Sequence, residues 1–232
     1  VKTIREDYMK KLFVVLLMAT VSAMAVSASR IGPVSTYGEL KANGGKLSGS
    51  CATYANSAVQ VKGMSLFWSS AADSATTFYT EKAVNRMVSE MNIEVIRFAM
   101  GVTDEKFDDQ GRGYYSTGKG KYQAGEIGKT LQLGMLKNVV NAAIENDIYV
   151  IIDWHIESSN GNTEQAKEFF EYAAKEYGSY NNVIFEVWNE PTGDMATVAS
   201  HANTIIPIIR KYSDNLVLVG SPEWSSHPEQ CA

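Results

Sequence analysis

Five short β-rich runs recur along this chain at intervals that fit one strand and one helix each, and no other feature constrains its fold as tightly. The runs cover residues 59–66, 94–100, 149–154, 183–188 and 216–220. Their C-terminal ends, near Ser65, Arg97, Asp153, Asn189 and Gly220, lie 32, 56, 36 and 31 residues apart. Two parallel strands need a crossover of a dozen or more residues, usually a helix, and the segments between the runs have that character. Residues 76–91 place Tyr79, Ala83, Val84, Met87, Val88 and Met91 on one helical face. Residues 131–145 do the same with Leu136, Val139, Val140, Ala143 and Ile144, and residues 163–177 with Ala166, Phe169, Phe170, Ala173, Ala174 and Tyr177. Each stripe predicts an amphipathic helix laid on a sheet. Asn162 and Gln165 stand where they would cap the third helix. A fourth, over about residues 195–212, contains Pro207 and is expected to kink there, because proline lacks the N–H that the preceding turn would use.

The 56-residue interval holds an insertion, residues 101–128, whose Gly111, Arg112, Gly113, Tyr114 and Tyr115 read as an elaborated loop. Residues 29–58 are rich in Gly, Ser, Ala and Asn, with a turn signal at Asn43, Gly44 and Gly45, and read as a leader or linker ahead of the folded region at 59–232.

Five βα units satisfy either an open doubly wound sheet or part of a closed barrel, so periodicity alone leaves the fold class open. Polar residues separate the two. Arg97, Asp153 with His155, and Asn189 with Glu190 sit at the C-terminal ends of three different strands. A (β/α)8 barrel converges such ends on one cleft, where its active site lies. An open nucleotide-binding sheet would carry a glycine fingerprint after its first strand, and Gly63, Met64, Ser65 and Leu66 do not supply one. The expectation is an α/β fold, a (β/α)8 TIM barrel of which about five βα units are present.

With 232 residues, 45% hydrophobic and 20% charged, the chain can bury a sizeable core. Its net charge of −5, without a basic cluster, offers nothing to a phosphate backbone, so nucleic acid is not an expected partner. At the N-terminus, Lys10 and Lys11 precede an apolar stretch at 12–19, and small residues follow at Ala23, Ala25 and Ala28. That pattern reads as a secretory signal over residues 1–28, with Met9 as an alternative start. The apolar stretch is well short of the roughly 20 residues a spanning helix needs, so a secreted protein with no membrane partner after cleavage is expected. Export leaves open a disulfide between Cys51 and Cys231, the two cysteines present.

The sharpest local signal is Val183, Ile184, Phe185, Glu186, Val187, Trp188, Asn189, Glu190 and Pro191, an apolar strand closed by an amide, a carboxylate and a proline. A carboxyl group at a strand end can act as a general acid or base, and Glu190 is the candidate. Arg97 ends an otherwise apolar strand, where its charge needs a partner. That partner is either a carboxylate used in chemistry or, structurally, Glu186. His155 is either a substrate contact or structural. Asp153 and His155, two apart on a strand, could begin a metal site, yet only three His are present, and His201 falls mid-helix and His227 in a loop. No metal and no cofactor are expected. Trp224, past the fifth run, and Trp68, past the first, offer flat apolar faces for a ligand or for core packing; Trp154 and Trp188 lie inside strands and read as core.

The segment at 183–191 resembles the acid/base strand of glycoside hydrolase family 5. The resemblance continues through 95–100, 150–155 and 219–225 in the family's order, runs from about residue 59 to the end, and is closest to bacterial endo-β-1,4-glucanases. It implies a retaining hydrolase of a polysaccharide, β-1,4-glucan first, with mannan, xyloglucan or mixed-linkage glucan as alternatives. By the same resemblance Glu190 is the acid/base, Asn189 bonds a sugar 2-hydroxyl, Arg97 holds the nucleophile ionised, His155 contacts substrate and Trp224 lies under a sugar ring. Two positions depart from the pattern: no His follows the first strand at 63–68, and Gly101 stands four residues after Arg97, where an aromatic is common. A retaining mechanism needs a second carboxylate about 5–5.5 Å from the first. The family places it three strands on, near residue 280 at about 30 residues per βα unit. The nucleophile is therefore expected beyond residue 232, and the chain as a fragment is expected to be inactive and prone to aggregate through open strand edges. A non-catalytic sugar-binding barrel, which would keep Trp224 and lose its carboxylates, and an unrelated doubly wound protein are the readings from other classes.

Overall fold

Five strands pair in chain order, every neighbour parallel: Gly63–Ser65, Val95–Gly101, Tyr149–His155, Val183–Glu186 and Val217–Leu218. They are β3 to β7, because an antiparallel hairpin, β1 (Leu40–Asn43) and β2 (Lys46–Gly49), precedes them. The computed structural model describes residues 30–71, 77–103, 112–115 and 126–231. Residues 1–28, where an export signal is expected, and most of the 101–128 insertion lie outside the described residues. A doubly wound sheet reverses its strand order at a switch point. This sheet does not reverse, and the sequential order is that of a (β/α)8 barrel.

Helices α1 (Pro33–Tyr37), α2 (Glu81–Met91), α3 (Glu126–Glu145), α4 (Thr163–Tyr177) and α5 (Met195–Ile209) accompany the strands. Two of them begin on side-chain caps: Thr80 accepts from Ala83 N at 3.2 Å, and Asp194 accepts from Thr197 N at 2.8 Å. The expected capping by Asn162 does not occur. Asn162 takes a left-handed backbone (φ 47°) and offers no side-chain bond; its carbonyl accepts from Gln165 N instead. Pro207 stands inside α5, two residues before its end.

Residues two apart on a strand share a face, and the two faces of this sheet differ. Ile96, Phe98, Val150, Ile152, Trp154, Val183 and Phe185 form one core with Val84 and Val88 of α2, Leu136 and Val139 of α3, Phe169 and Phe170 of α4 and Ile205 of α5. Each such side chain contributes about 1.5–3 kcal/mol on burial. The opposite face carries a second cluster, in which Tyr149, Ile151, Ile184, Leu216 and Leu218 pack against Val34, Leu40 and Val59.

That second cluster corrects the reading of residues 29–58 as a linker. The segment holds α1 and the β1–β2 hairpin, and it is tied to the sheet: the Asp147 carboxylate accepts from Gly32 N (2.6 Å) and Ser35 N (3.0 Å), and Tyr149 Oη donates to Gly38 O (2.6 Å). Four-residue strands with small polar residues have no stability of their own. Their order comes from partners more than 100 positions away, which composition does not register. Cys51 and Cys231 are both free thiols. Among the described residues no helix is long and apolar enough to cross a membrane.

Candidate active site

Arg97 on β4, Asp153 and His155 on β5 and Glu186 on β6 meet above the apolar part of the inner face. In the register, Arg97 is opposite Ser65 and Ile151, and Asp153 is opposite Ala99 and Glu186. Beyond β6, Asn189 donates its backbone N–H to Trp154 O at 3.1 Å, which holds the Asn189–Glu190 pair beside the end of β5. A cleft of about 390 Å³ opens there, with Phe67, Trp68, His155, Glu157, Asn189 and Glu190 in its wall.

The Arg97 guanidinium organises the floor of this cleft. It binds Glu186 through Nε (2.7 Å) and Nη2 (2.8 Å), Asp153 Oδ2 through Nη2 (2.8 Å), and Asn189 Oδ1 through Nη2 (2.7 Å). Its Nη1 donates to Ser65 Oγ at 3.3 Å. Of the two partners open to Arg97 from sequence, this chain places Glu186 against it, in a two-pronged ion pair. Burial works against the Arg97 charge, but the Glu186 hydrogen bonds and the charges of Asp153, Glu186 and Glu190 outweigh it and hold the guanidinium cationic.

The acids share that single cation. Burial pushes the Asp153 carboxyl up to about 8, with Arg97 opposing the shift and Glu190 adding to it. Burial, reinforced by Asp153, also raises Glu186 in spite of Arg97. His155 is lowered to about 3 by burial and then by Arg97, so its imidazole is neutral near pH 7. Its Nδ1 lies 2.5 Å from Asp153 Oδ2.

Because Asn189 Oδ1 accepts from Arg97, its Nδ2 is left as a donor toward the cleft. Glu190 is half-buried in the cleft wall and makes no hydrogen bond to a described side chain. Trp68 is buried, its ring edge-on to His155 at 4.4 Å between centroids. Trp224 is 58% exposed and stands outside the cleft wall, on a turn (Pro222–Ser225) where Glu223, Trp224 and Ser225 have φ of 51°, 57° and 62°. Its backbone N–H donates to Pro191 O at 3.0 Å, which ties it to the Glu190 segment. Sequence reasoning did not single out Phe67, which is 56% exposed in the cleft wall, or Glu157. It weighed Asp153 only as a metal ligand. The i, i+2 spacing to His155 was the available signal for that contact; Glu157 had none.

The cellulase model of glycosyl hydrolase family 5 matches residues 52–232, and the chain belongs to that family. Endoglucanase Z of Dickeya dadantii is 34% identical over 173 residues, covering 73% of this chain and 37% of that protein. An endoglucanase of Clostridium saccharobutylicum is 34% identical over 234 residues, covering 94% of this chain and 46% of its own length. The catalytic domain of a Thermobifida fusca endoglucanase, solved with cellotetraose, superimposes with a TM-score of 0.65 at 25% identity, over 87% of this chain and 59% of that one. This chain thus spans less than half the length of the two endoglucanases it matches in sequence. The structural neighbours are (β/α)8 barrels, in agreement with the parallel five-stranded sheet.

Proposed function

We propose that the protein carrying this chain is an exported, retaining, endo-acting hydrolase of β-1,4-glucan, with Glu190 as acid/base. The observation that carries this reading is the joint placement of Glu190 and Asn189 on the cleft: the Asn189 oxygen is occupied by Arg97, which leaves its N–H for a sugar hydroxyl beside the scissile bond. Glu190 protonates the leaving glycosidic oxygen and later deprotonates the attacking water. His155 and Trp68 shape the cleft against the sugar, Trp224 provides an exposed platform, and Arg97 supplies positive charge next to the reacting carboxylates. The nucleophilic carboxylate is carried by residues beyond 232. Export rests on the basic and apolar pattern at 10–19. The endoglucanases among the relatives and the cellotetraose complex of the structural neighbour support glucan over mannan or xyloglucan.

The test is Glu190→Gln in the full-length protein, read as reducing-sugar release from soluble β-1,4-glucan. The expected loss is about 10²–10⁴-fold with the fold intact. Unchanged hydrolysis would remove Glu190 from the mechanism.

A further inference from the structure

Asp153 is fully buried, and its Oδ1 has no hydrogen-bond partner among the described residues. Its Oδ2 lies 2.5 Å from His155 Nδ1, a contact that requires one proton between the two atoms, since two lone pairs would repel. Two arrangements satisfy this. Either a carboxylate accepts from Nδ1–H, or a carboxylic acid donates its O–H to a bare Nδ1.

Three features select the second. A buried oxygen without a partner costs far less on a neutral acid than on a carboxylate. Arg97 Nη2 lies 2.8 Å from Asp153 Oδ2, but the same cation is engaged by both oxygens of Glu186 and Glu190 adds negative charge nearby, so Asp153 shares one cation with other acids. Arg97 Nη1 also points at Nδ1 from 3.4 Å, and a guanidinium, which only donates, is better met by a lone pair than by an N–H. The charged and titratable groups around the pair are Arg97 from β4, Glu186 and Glu190 from β6 and its extension, Glu157 beyond β5, and Tyr79 ahead of α2. Their balance, with burial, agrees with a carboxyl that keeps its proton to about pH 8.

We propose that Asp153 is a positioning residue: its protonated carboxyl donates to His155 Nδ1 and so fixes the neutral imidazole with its proton on Nε2. That nitrogen has no partner among the described residues, and the ring lines the cleft. Nε2–H is thereby offered as a donor to a ligand hydroxyl. The proposal depends on the glycan reading above only for the identity of that hydroxyl; the tautomer does not depend on it.

Long-range ¹H–¹⁵N spectra of the full-length protein, labelled at histidine, test it, with the His155 signals assigned by their loss in His155→Gln. Near neutral pH the expected pattern is a protonated Nε2 and a bare Nδ1, which changes as the pH rises through about 8. In Asp153→Asn the amide N–H donates to Nδ1 as the acid does, so the same tautomer persists without the change near pH 8. A protonated Nδ1, or an imidazolium, in the wild type overturns the proposal. So does an unaltered pH response in Asp153→Asn. If Asp153→Asn does not fold, the wild-type pattern and its titration decide alone. Should the tautomer be as proposed while added cellotetraose leaves the Nε2 signal unmoved, the glycan reading of His155 fails and the role of Asp153 stands.

Discussion

On β5, Val150, Ile152 and Trp154 face the helices, and the one polar group among them, the Trp154 indole N–H, is answered by Gly161 O at 2.8 Å. Tyr149, Ile151, Asp153 and His155 of the same strand face the barrel interior. There Tyr149 is buried and Ile151 partly buried against the α1 and β1–β2 segment, while Asp153 and His155 join the Arg97 network. One face is held mainly by burial, where a change of volume costs stability. The other holds charge out of water, which tolerates no loss of a partner. A pleat of period two keeps these requirements apart, although the residues are neighbours in sequence.

Removing a partner on the polar side should have the largest effect. Arg97→Ala leaves the Glu186 carboxylate buried without its cation and is expected to cost about 3–5 kcal/mol in urea denaturation. Adding Glu186→Gln should recover part of that loss. On the helix side, Phe185→Ala opens a cavity, also at about 3–5 kcal/mol, but the His155 ¹⁵N pattern of the folded fraction should be unchanged. An altered pattern would mean that the two faces are not independent.

The pH response probes the polar side more gently. Asp153 binds its proton more tightly folded than unfolded, so its contribution to stability is full below the unfolded value of about 4 and is lost as the pH rises toward about 8. His155 has the opposite sign. Its folded value is depressed to about 3, so stability is lost as the pH falls from about 6.5 toward it. Between about pH 6.5 and 8 the His155 contribution is flat, and the Asp153 slope remains, at most about 1.4 kcal/mol per pH unit. Denaturation curves across that window should show the decline in the wild type and a shallower one in Asp153→Asn. The smallest effect is expected at Trp224, exposed and outside both cores: Trp224→Ala should change stability by less than about 0.5 kcal/mol while weakening cellotetraose binding by calorimetry.

Much of the scaffold was legible in the sequence. The runs at 94–100 and 149–154 agree with β4 and β5 to within a residue at each end, and 163–177 coincides with α4, because long periodic stretches report directly which face is buried. The α1 and β1–β2 segment was not legible, since its order is supplied by Asp147, Tyr149 and Ile184. Trp68 and Trp224 carried the same ambiguity in sequence. One proved buried against His155 and the other open to solvent, a difference that depends on loop backbone and not on residue type.

What the sequence by itself determined is the alternation: parallel strands, helices between them, and Arg97, Asp153, His155, Asn189 and Glu190 delivered to the same strand ends. Only the tertiary structure decided how those groups divide their charges. Arg97 and Glu186 are 89 positions apart and meet because the parallel register sets Arg97 level with Ile184, only two residues short of Glu186 on the same face. Asp153 is kept from water by everything packed around it. Coulomb energies and desolvation both depend on distance and burial, and neither quantity exists until the strands are side by side.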